Sequence, residues 1–144
     1  MGRQNHYTTV LPMQILQPKG WPNPRGYANG VVAEGKVVCV AGQVGWNARG
    51  EFETDDFAGQ VRQALRNIVT ILAEAGAAPY HLTRLTWYVT DKREYREALK
   101  DVGLGYREVI GDHYPAMTLV QVAGLLEDRA KVEIEATAVI PLAT

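Results

Sequence analysis

The sequence has 144 residues, a length typical of one domain with a core of its own. Its 15 Lys and Arg residues are balanced by 16 Asp and Glu and are scattered, which argues against a nucleic-acid partner. The single cysteine, Cys39, excludes an internal disulfide, and the sequence shows no signal peptide and no apolar run of about 18 residues. We therefore expect a cytoplasmic protein that neither enters a membrane nor binds nucleic acid.

Two further classes of site are excluded by residue type. The chain contains no serine, so it cannot be a serine hydrolase. His6, His81 and His113 lack the spacing of metal ligands. The sequence therefore predicts a protein without a metal site.

The N-terminal part is irregular. Residues 1–24 are predicted to form a lead-in arm, because residues 17–26 are rich in Pro and Gly, and residues 25–144 are predicted to form a single domain. Residues 31–41 contain two short β-forming runs around Glu34 and Gly35. This pattern predicts a β-hairpin.

A helix follows the predicted hairpin. Apolar residues recur at three- and four-residue spacing from Phe57 to Ala75, as on a helix with one face on a core. Asp55 or Asp56 can cap its start, and Gly76 stands just past its end.

A strand and a second helix come next. Residues 81–90 alternate and are rich in β-formers, which predicts a strand. Asp91 then caps a helix, with Glu94 in the capping-box position. Gly103 and Gly105 predict a kink or break within it.

The last two predicted strands cover residues 117–123 and 131–140. Glu133 and Glu135 share one face of the second of these, and the apolar residues between them share the other. A carboxylate on a largely buried strand needs a partner, a polar cleft or an interface. The alternative interpretation is an edge strand with one wet face.

The predicted order is strand, strand, helix, strand, helix, strand, strand. This order is typical of an α+β domain with two helices on one face of a mixed sheet. The other face must also be covered, and copies of the same chain would cover it most simply.

Several motifs together resemble one family. They are Gly26-Tyr27, Ala41-Gly42-Gln43, residues 60–68, Tyr114-Pro115-Ala116-Met117-Thr118 and Val132-Glu133-Ile134-Glu135-Ala136. In this order and spacing, over residues 26–141, they resemble the RidA/YjgF family of reactive intermediate deaminases. The resemblance implies a chorismate-mutase-like fold and a homotrimer with three clefts between subunits. It also implies hydrolysis of enamines and imines to a keto acid and ammonia, without a metal or organic cofactor.

The resemblance assigns roles to individual residues. Tyr27, Glu133 and the pair Gly42-Gln43 match site positions of the family. They imply that Glu133 is the base that activates water and that Tyr27 orients the water or substrate.

Two positions depart from the family pattern. In active members an arginine follows Pro-Ala and binds the substrate carboxylate, whereas here that position is Met117. The usual serine before Gly-Gln is replaced by Ala41. Because a thioether cannot imitate a bidentate guanidinium, we expect poor activity on simple 2-imino acids.

Two interpretations of these departures are open. Arg25 would share a strand face with Tyr27 if the segment were extended, and it could supply a substitute cation. Alternatively the ligand lacks a carboxylate, and Met117, Ala41 and Trp46 line a less polar pocket for an aromatic or neutral compound. Met117 could also be core packing, and Trp46 could be a loop anchor.

Three functions are thus compared. The first is a RidA-like hydrolase with altered substrate choice, and the second is a trimer that binds a small molecule without turnover. Endoribonuclease activity is attached to some relatives, but the near-neutral charge and the lack of a basic aromatic surface argue against it.

Overall fold

The computed structural model of the protein describes residues 13–142. In chain order the elements are β1 (Gln14–Leu16), β2 (Gly30–Val32), β3 (Lys36–Val44), α1 (Phe57–Glu74), a 3-10 turn (Pro79–His81), β4 (Leu82–Val89), α2 (Lys92–Glu97), α3 (Leu99–Val109), β5 (Ala116–Gln121) and β6 (Val132–Ile140). The predicted α+β class is confirmed. The described residues contain three α-helices, however, where two were predicted.

The main sheet has the strand order β3-β6-β4-β5. Strand β6 runs antiparallel to both β3 and β4, whereas β4 and β5 are parallel, so the sheet is mixed as predicted. Because β6 lies between two strands, the interpretation of residues 131–140 as an edge strand is wrong. Glu133 and Glu135 therefore lie well inside the sheet.

The predicted hairpin within residues 31–41 is also wrong. Strand β2 pairs with β1 in a separate two-stranded sheet, and β3 pairs with β6. Gly35 has φ +148° and passes so close to the Ile140 backbone that a side chain would collide with it. The lack of a side chain at Gly35 therefore allows β3 to begin close beside β6. Gly35 does not form a tight turn between β2 and β3.

The core lies between the helices and one face of the sheet. The predicted stripe of α1 is fully buried at Val61, Leu65, Ile68 and Leu72, and it packs on inward residues of β4 and β6. Asp56 caps α1 by accepting a 2.9 Å hydrogen bond from the Gly59 N–H.

The second predicted helix is broken, but not at Gly103 or Gly105 as predicted. The break lies at Ala98, between α2 and α3, and α3 continues through both Gly103 and Gly105. A Cβ on Gly105 would lie 2.7 Å from Cγ of Arg62, so this glycine allows α1 and α3 to approach closely. Its role is packing and not a helix break.

The opposite face of the sheet carries no helix within the described residues. Glu133, Glu135 and Thr137 of β6 are half-exposed there, and on β3 Cys39 and Val37 are exposed, with Val37 64% accessible. We call this surface the open face. A covering by further subunits stays a prediction.

The predicted division at residue 24 also stays a prediction. Strand β1 lies inside the predicted arm and pairs with β2, while residues 1–12 of that arm lie outside the described residues. Between residues 13 and 142, no helix is long and apolar enough to cross a membrane.

Candidate active site

A cavity of about 670 Å³ lies beside the edge strand β5, against helices α2 and α3. This volume is within the range of about 300–1,000 Å³ that is usual for small-molecule sites. Three of the predicted site residues, Arg25, Tyr27 and Met117, line it. The others do not.

Met117 faces the helix side of the sheet. Its partner on β4 is Leu85, which is fully buried in the core. Met117 is itself half-buried, packs against the core cluster and also lines the cavity. The core-packing and pocket-lining interpretations of this residue therefore both apply.

Arg25 and Tyr27 reach the cavity in a different way than predicted. Residues 25–27 form a bend with Gly26 at φ +77°, so the segment is not an extended strand. The Ala28 N–H donates a 3.0 Å hydrogen bond to the Pro115 carbonyl, which fixes the bend beside β5. Both side chains therefore line the cavity together with Met117. The extended strand that was expected to put Arg25 and Tyr27 on one face does not occur.

Glu133 lies on the open face, on the other side of the sheet from Met117. It pairs with Tyr88 of β4 and Val44 of β3. Gly42 adjoins the carboxylate so closely that a Cβ there would lie 2.8 Å from the Glu133 Cδ. Within residues 13–142 the Glu133 carboxylate has no ion-pair partner. It is therefore a half-exposed acid with free acceptor positions.

Glu135, two residues further along the same face, already has a partner. The Tyr88 hydroxyl donates a 2.5 Å hydrogen bond to its Oε1. This hydrogen bond, followed by desolvation and the charges of both glutamates, raises the pKa of Tyr88. The two carboxylates of the open face thus differ. That of Glu135 accepts a hydrogen bond from Tyr88, whereas that of Glu133 has free acceptor positions.

Replacing Glu135 by glutamine is expected to lower the pKa of Tyr88 toward its ordinary value, since the charge that favours the protonated phenol is lost. A raised pKa adds stability at pH values below the ordinary tyrosine pKa, and that stability is lost as pH rises through the folded-state pKa. Carbon-13 NMR of the tyrosine rings, assigned with Tyr88→Phe, measures this titration. The same Tyr88 titration midpoint in wild type and Glu135→Gln would contradict the view that Glu135 raises the pKa of Tyr88.

The remaining predicted residues lie away from the cavity. Ala41 and Gln43 are on β3, where the Gln43 amide donates to the Ala41 carbonyl at 3.0 Å. Trp46 follows β3 and packs on Phe52 with ring centroids 6.0 Å apart, and its carbonyl accepts a 2.8 Å hydrogen bond from Asn67. The structure thus places Trp46 as a loop anchor. Ala41 is not among the residues that line the cavity beside Met117.

Within one chain, the predicted site residues are therefore not all in one place. Arg25, Tyr27 and Met117 line the cavity, whereas Gly42 lies beside Glu133 on the open face. Ala28, next to Tyr27, bridges to Ala116 at the start of β5, whereas Glu133 lies level with Val120 near its end. Four residues of strand span about 13 Å, and the sheet itself separates the two groups.

Sequence reasoning did not identify most of the cavity wall. The aromatic residues there are Trp87, Tyr95, Tyr106 and Tyr114. The Tyr106 hydroxyl donates a 2.6 Å hydrogen bond to the His113 carbonyl, and burial raises the pKa of Tyr106. The alternation of β4 could have placed Trp87 on the inner face beside Leu85, but nothing in the sequence brings these aromatics together around a cavity.

Comparisons with known proteins match most of the chain. The family model described as Endoribonuclease L-PSP covers residues 22–140. A RutC family protein of Pyrococcus horikoshii is 30% identical over 87% of this chain and 96% of that protein. A 2-iminobutanoate/2-iminopropanoate deaminase of Escherichia coli is 32% identical over 73% of this chain and 80% of that protein.

A solved structure agrees with these sequence matches. The Rid family protein YyfB of Yersinia pestis, whose function is unknown, superposes with a TM-score of 0.80 at 29% identity, over 90% of this chain and 99% of that one. The family and fold that the motifs implied are therefore confirmed. The chain belongs to the Endoribonuclease L-PSP family and is a RidA/YjgF (Rid) protein.

Proposed function

We propose that the protein is a cofactor-independent hydrolase that deaminates an enamine or imine with a substrate choice altered from that of simple 2-imino acids. The observation that carries this proposal is the half-exposed Glu133 carboxylate, which lies against Gly42 on the open face and has no ion-pair partner in the described part of the chain. The relatives named 2-iminobutanoate/2-iminopropanoate deaminase support it.

We further propose a cytoplasmic homotrimer in which the open face of one subunit meets the cavity of its neighbour. In one chain the sheet separates Glu133 from Tyr27 and Met117. A second copy placed on the open face would bring a complete set of these residues into each cleft. It would also cover the exposed Val37 and Cys39.

The chemistry follows from these positions. Glu133 takes a proton from a water molecule, whose oxygen attacks the imine carbon, and passes this proton to the imine nitrogen to give a carbinolamine. Glu133 then takes the hydroxyl proton of the carbinolamine and gives it to the nitrogen. The carbon–nitrogen bond breaks, a carbonyl forms and ammonia leaves. Tyr27 orients the substrate or water through its hydroxyl.

Met117 is expected to make the wild-type protein slow on 2-iminopropanoate. Removing one partner of a buried charge pair costs about 2–5 kcal/mol, so Met117→Arg should raise kcat/KM for this substrate at least about 30-fold. Met117→Leu, which adds no charge, is the matched control and should stay slow. An assay coupled to an amino-acid oxidase measures the decay of the imine. Equal kcat/KM values for wild type and Met117→Arg would contradict the expectation. In that case, a lower kcat/KM in Arg25→Gln than in wild type would identify Arg25 as the substitute cation.

A second candidate is a trimer that binds a small molecule without turnover. The observation that favours it is Met117 in place of the arginine of active relatives, because loss of that group removes substrate positioning. The two functions differ at Glu133. In the binding protein Glu133→Gln would change affinity alone, whereas in the hydrolase it would stop turnover.

A further inference from the structure

We infer that Asn67 of α1 is a positioning residue for Glu133. It acts through β3, whose bulge at Ala41 and Gly42 lies against the Glu133 carboxylate. This inference rests on the proposed function in taking Glu133 to be the base. The position of the Glu133 side chain can be measured without turnover, so the two proposals are tested separately.

The bulge interrupts the regular pairing of β3 beside Glu133. Between its pairs at Val40 and Gln43, β3 advances by three residues while β6 advances by only two. A bulge leaves its extra residue unpaired and bends the strand locally. Within this one, the Gln43 amide donates a 3.0 Å hydrogen bond to the Ala41 carbonyl. Regular strand pairing therefore does not fix where Gly42 lies relative to the Glu133 carboxylate, and another contact must do so.

Asn67 holds the end of β3 that follows the bulge. Its amide donates hydrogen bonds to the carbonyls of Val44 at 3.1 Å and Trp46 at 2.8 Å. Val44 is the residue of β3 that pairs with Glu133. A Cβ on Gly45, between the two carbonyls, would lie 2.7 Å from a backbone atom of α1. Helix α1 therefore contacts β3 beside the pair that Val44 forms with Glu133.

The Asn67 side chain is itself oriented by a neighbour on α1. The Gln63 amide donates a 2.9 Å hydrogen bond to the Asn67 Oδ1, which directs the Asn67 nitrogen to the two carbonyls of β3. Gln60 has the corresponding place beside β6, because its Oε1 accepts a 2.8 Å hydrogen bond from the Lys131 N–H, two residues before Glu133. Two amide side chains of α1 thus hold both β3 and β6 beside Glu133.

Asn67→Asp tests this role in the assay of imine decay, with the imine that an amino-acid oxidase forms from phenylalanine. An ionised aspartate still accepts the hydrogen bond from Gln63, but it cannot donate to the two carbonyls and repels them. We expect kcat per folded protein to fall about 10- to 100-fold, since a displacement of about 1 Å can cost the larger factor. KM should stay within about threefold, because Asn67 does not line the cavity. Asn67→Ala, which removes the donor without adding a charge, should act in the same direction.

The geometry is measured separately by NMR. A Cβ on Gly42 would lie 2.9 Å from the Glu133 Cγ, so the Gly42 Hα and Glu133 Hγ protons should give a strong nuclear Overhauser effect in wild type. Asn67→Asp and Asn67→Ala should weaken it severalfold. Thr70→Val is the matched control, because Thr70 is exposed on α1 and its hydroxyl donates to the Arg66 carbonyl of the same helix. This variant should keep both the Overhauser effect and the kcat of wild type.

Two results would overturn the inference. One is an unchanged Overhauser effect in both Asn67 variants, and the other is a weakened effect with kcat still within about threefold of wild type. Both leave the hydrolase proposal standing if Glu133→Gln stops turnover. Conversely, no turnover in wild type would reject the hydrolase, while a weakened Overhauser effect in the Asn67 variants would still show that Asn67 fixes the Glu133 side chain beside Gly42.

Discussion

Replacing Glu133 by glutamine is expected to lower the rate of imine hydrolysis by about 10²- to 10⁴-fold, the usual contribution of a positioned general base. Glutamine keeps the size of the side chain beside Gly42 but cannot accept a proton. The fold should be unaffected, since Glu133 is half-exposed and has no ion-pair partner in the described residues. The initial rate of imine decay at saturating substrate measures the effect on kcat.

Glu135→Gln is the matched control for this experiment. Glu135 lies on the same strand and the same face, but its carboxylate is already bonded to the Tyr88 hydroxyl. The glutamine oxygen can still accept that hydrogen bond, so turnover should stay within about threefold of wild type. If Glu133→Gln and Glu135→Gln had equal rates, Glu133 would not be the base.

Replacing Gln60 by leucine is expected to lower the free energy of unfolding by about 3 kcal/mol or more. Gln60 is fully buried, and its amide donates to the carbonyls of Thr54 at 3.1 Å and Arg129 at 3.0 Å. Its Oε1 accepts a 2.8 Å hydrogen bond from the Lys131 N–H. Leucine would leave all three backbone groups without this partner, at a cost of about 1–3 kcal/mol for each one that stays buried.

The matched control is Gln63→Leu, one helical turn away. Gln63 is half-buried, and its amide donates only to Asn67 at 2.9 Å, so the loss should be below about 1 kcal/mol. Urea denaturation at one fixed protein concentration compares the variants, because subunit association would contribute to stability. Equal losses for the two variants would show that the Gln60 hydrogen bonds do not hold the start of β6 to α1.

Local patterns were sufficient for α1, β4 and β6. The apolar period of α1 and its Asp56 cap were predicted correctly, and the alternation of β4 and β6 located both strands to within one residue. Long-range pairing was not predictable in this way. Nothing in residues 31–41 indicates that β2 pairs with β1, because register between distant strands is decided by tertiary packing.

The site was predictable only in part. Alternation correctly put Glu133 and Glu135 on one face, and the family motifs named Tyr27 and Met117. The position of Arg25 followed from a bend at Gly26 that the sequence did not show. The aromatic cavity was missed, because its residues come from separate elements and each alone is typical of a core.

The proposed hydrolase is tested most directly by imine decay with the purified protein and no added cofactor. An amino-acid oxidase would generate imines from alanine, phenylalanine and tyrosine in parallel reactions. We predict that catalytic amounts of wild type accelerate decay, least for the alanine-derived imine, and that Glu133→Gln does not. Decay no faster than in buffer for all three imines would contradict the proposed function.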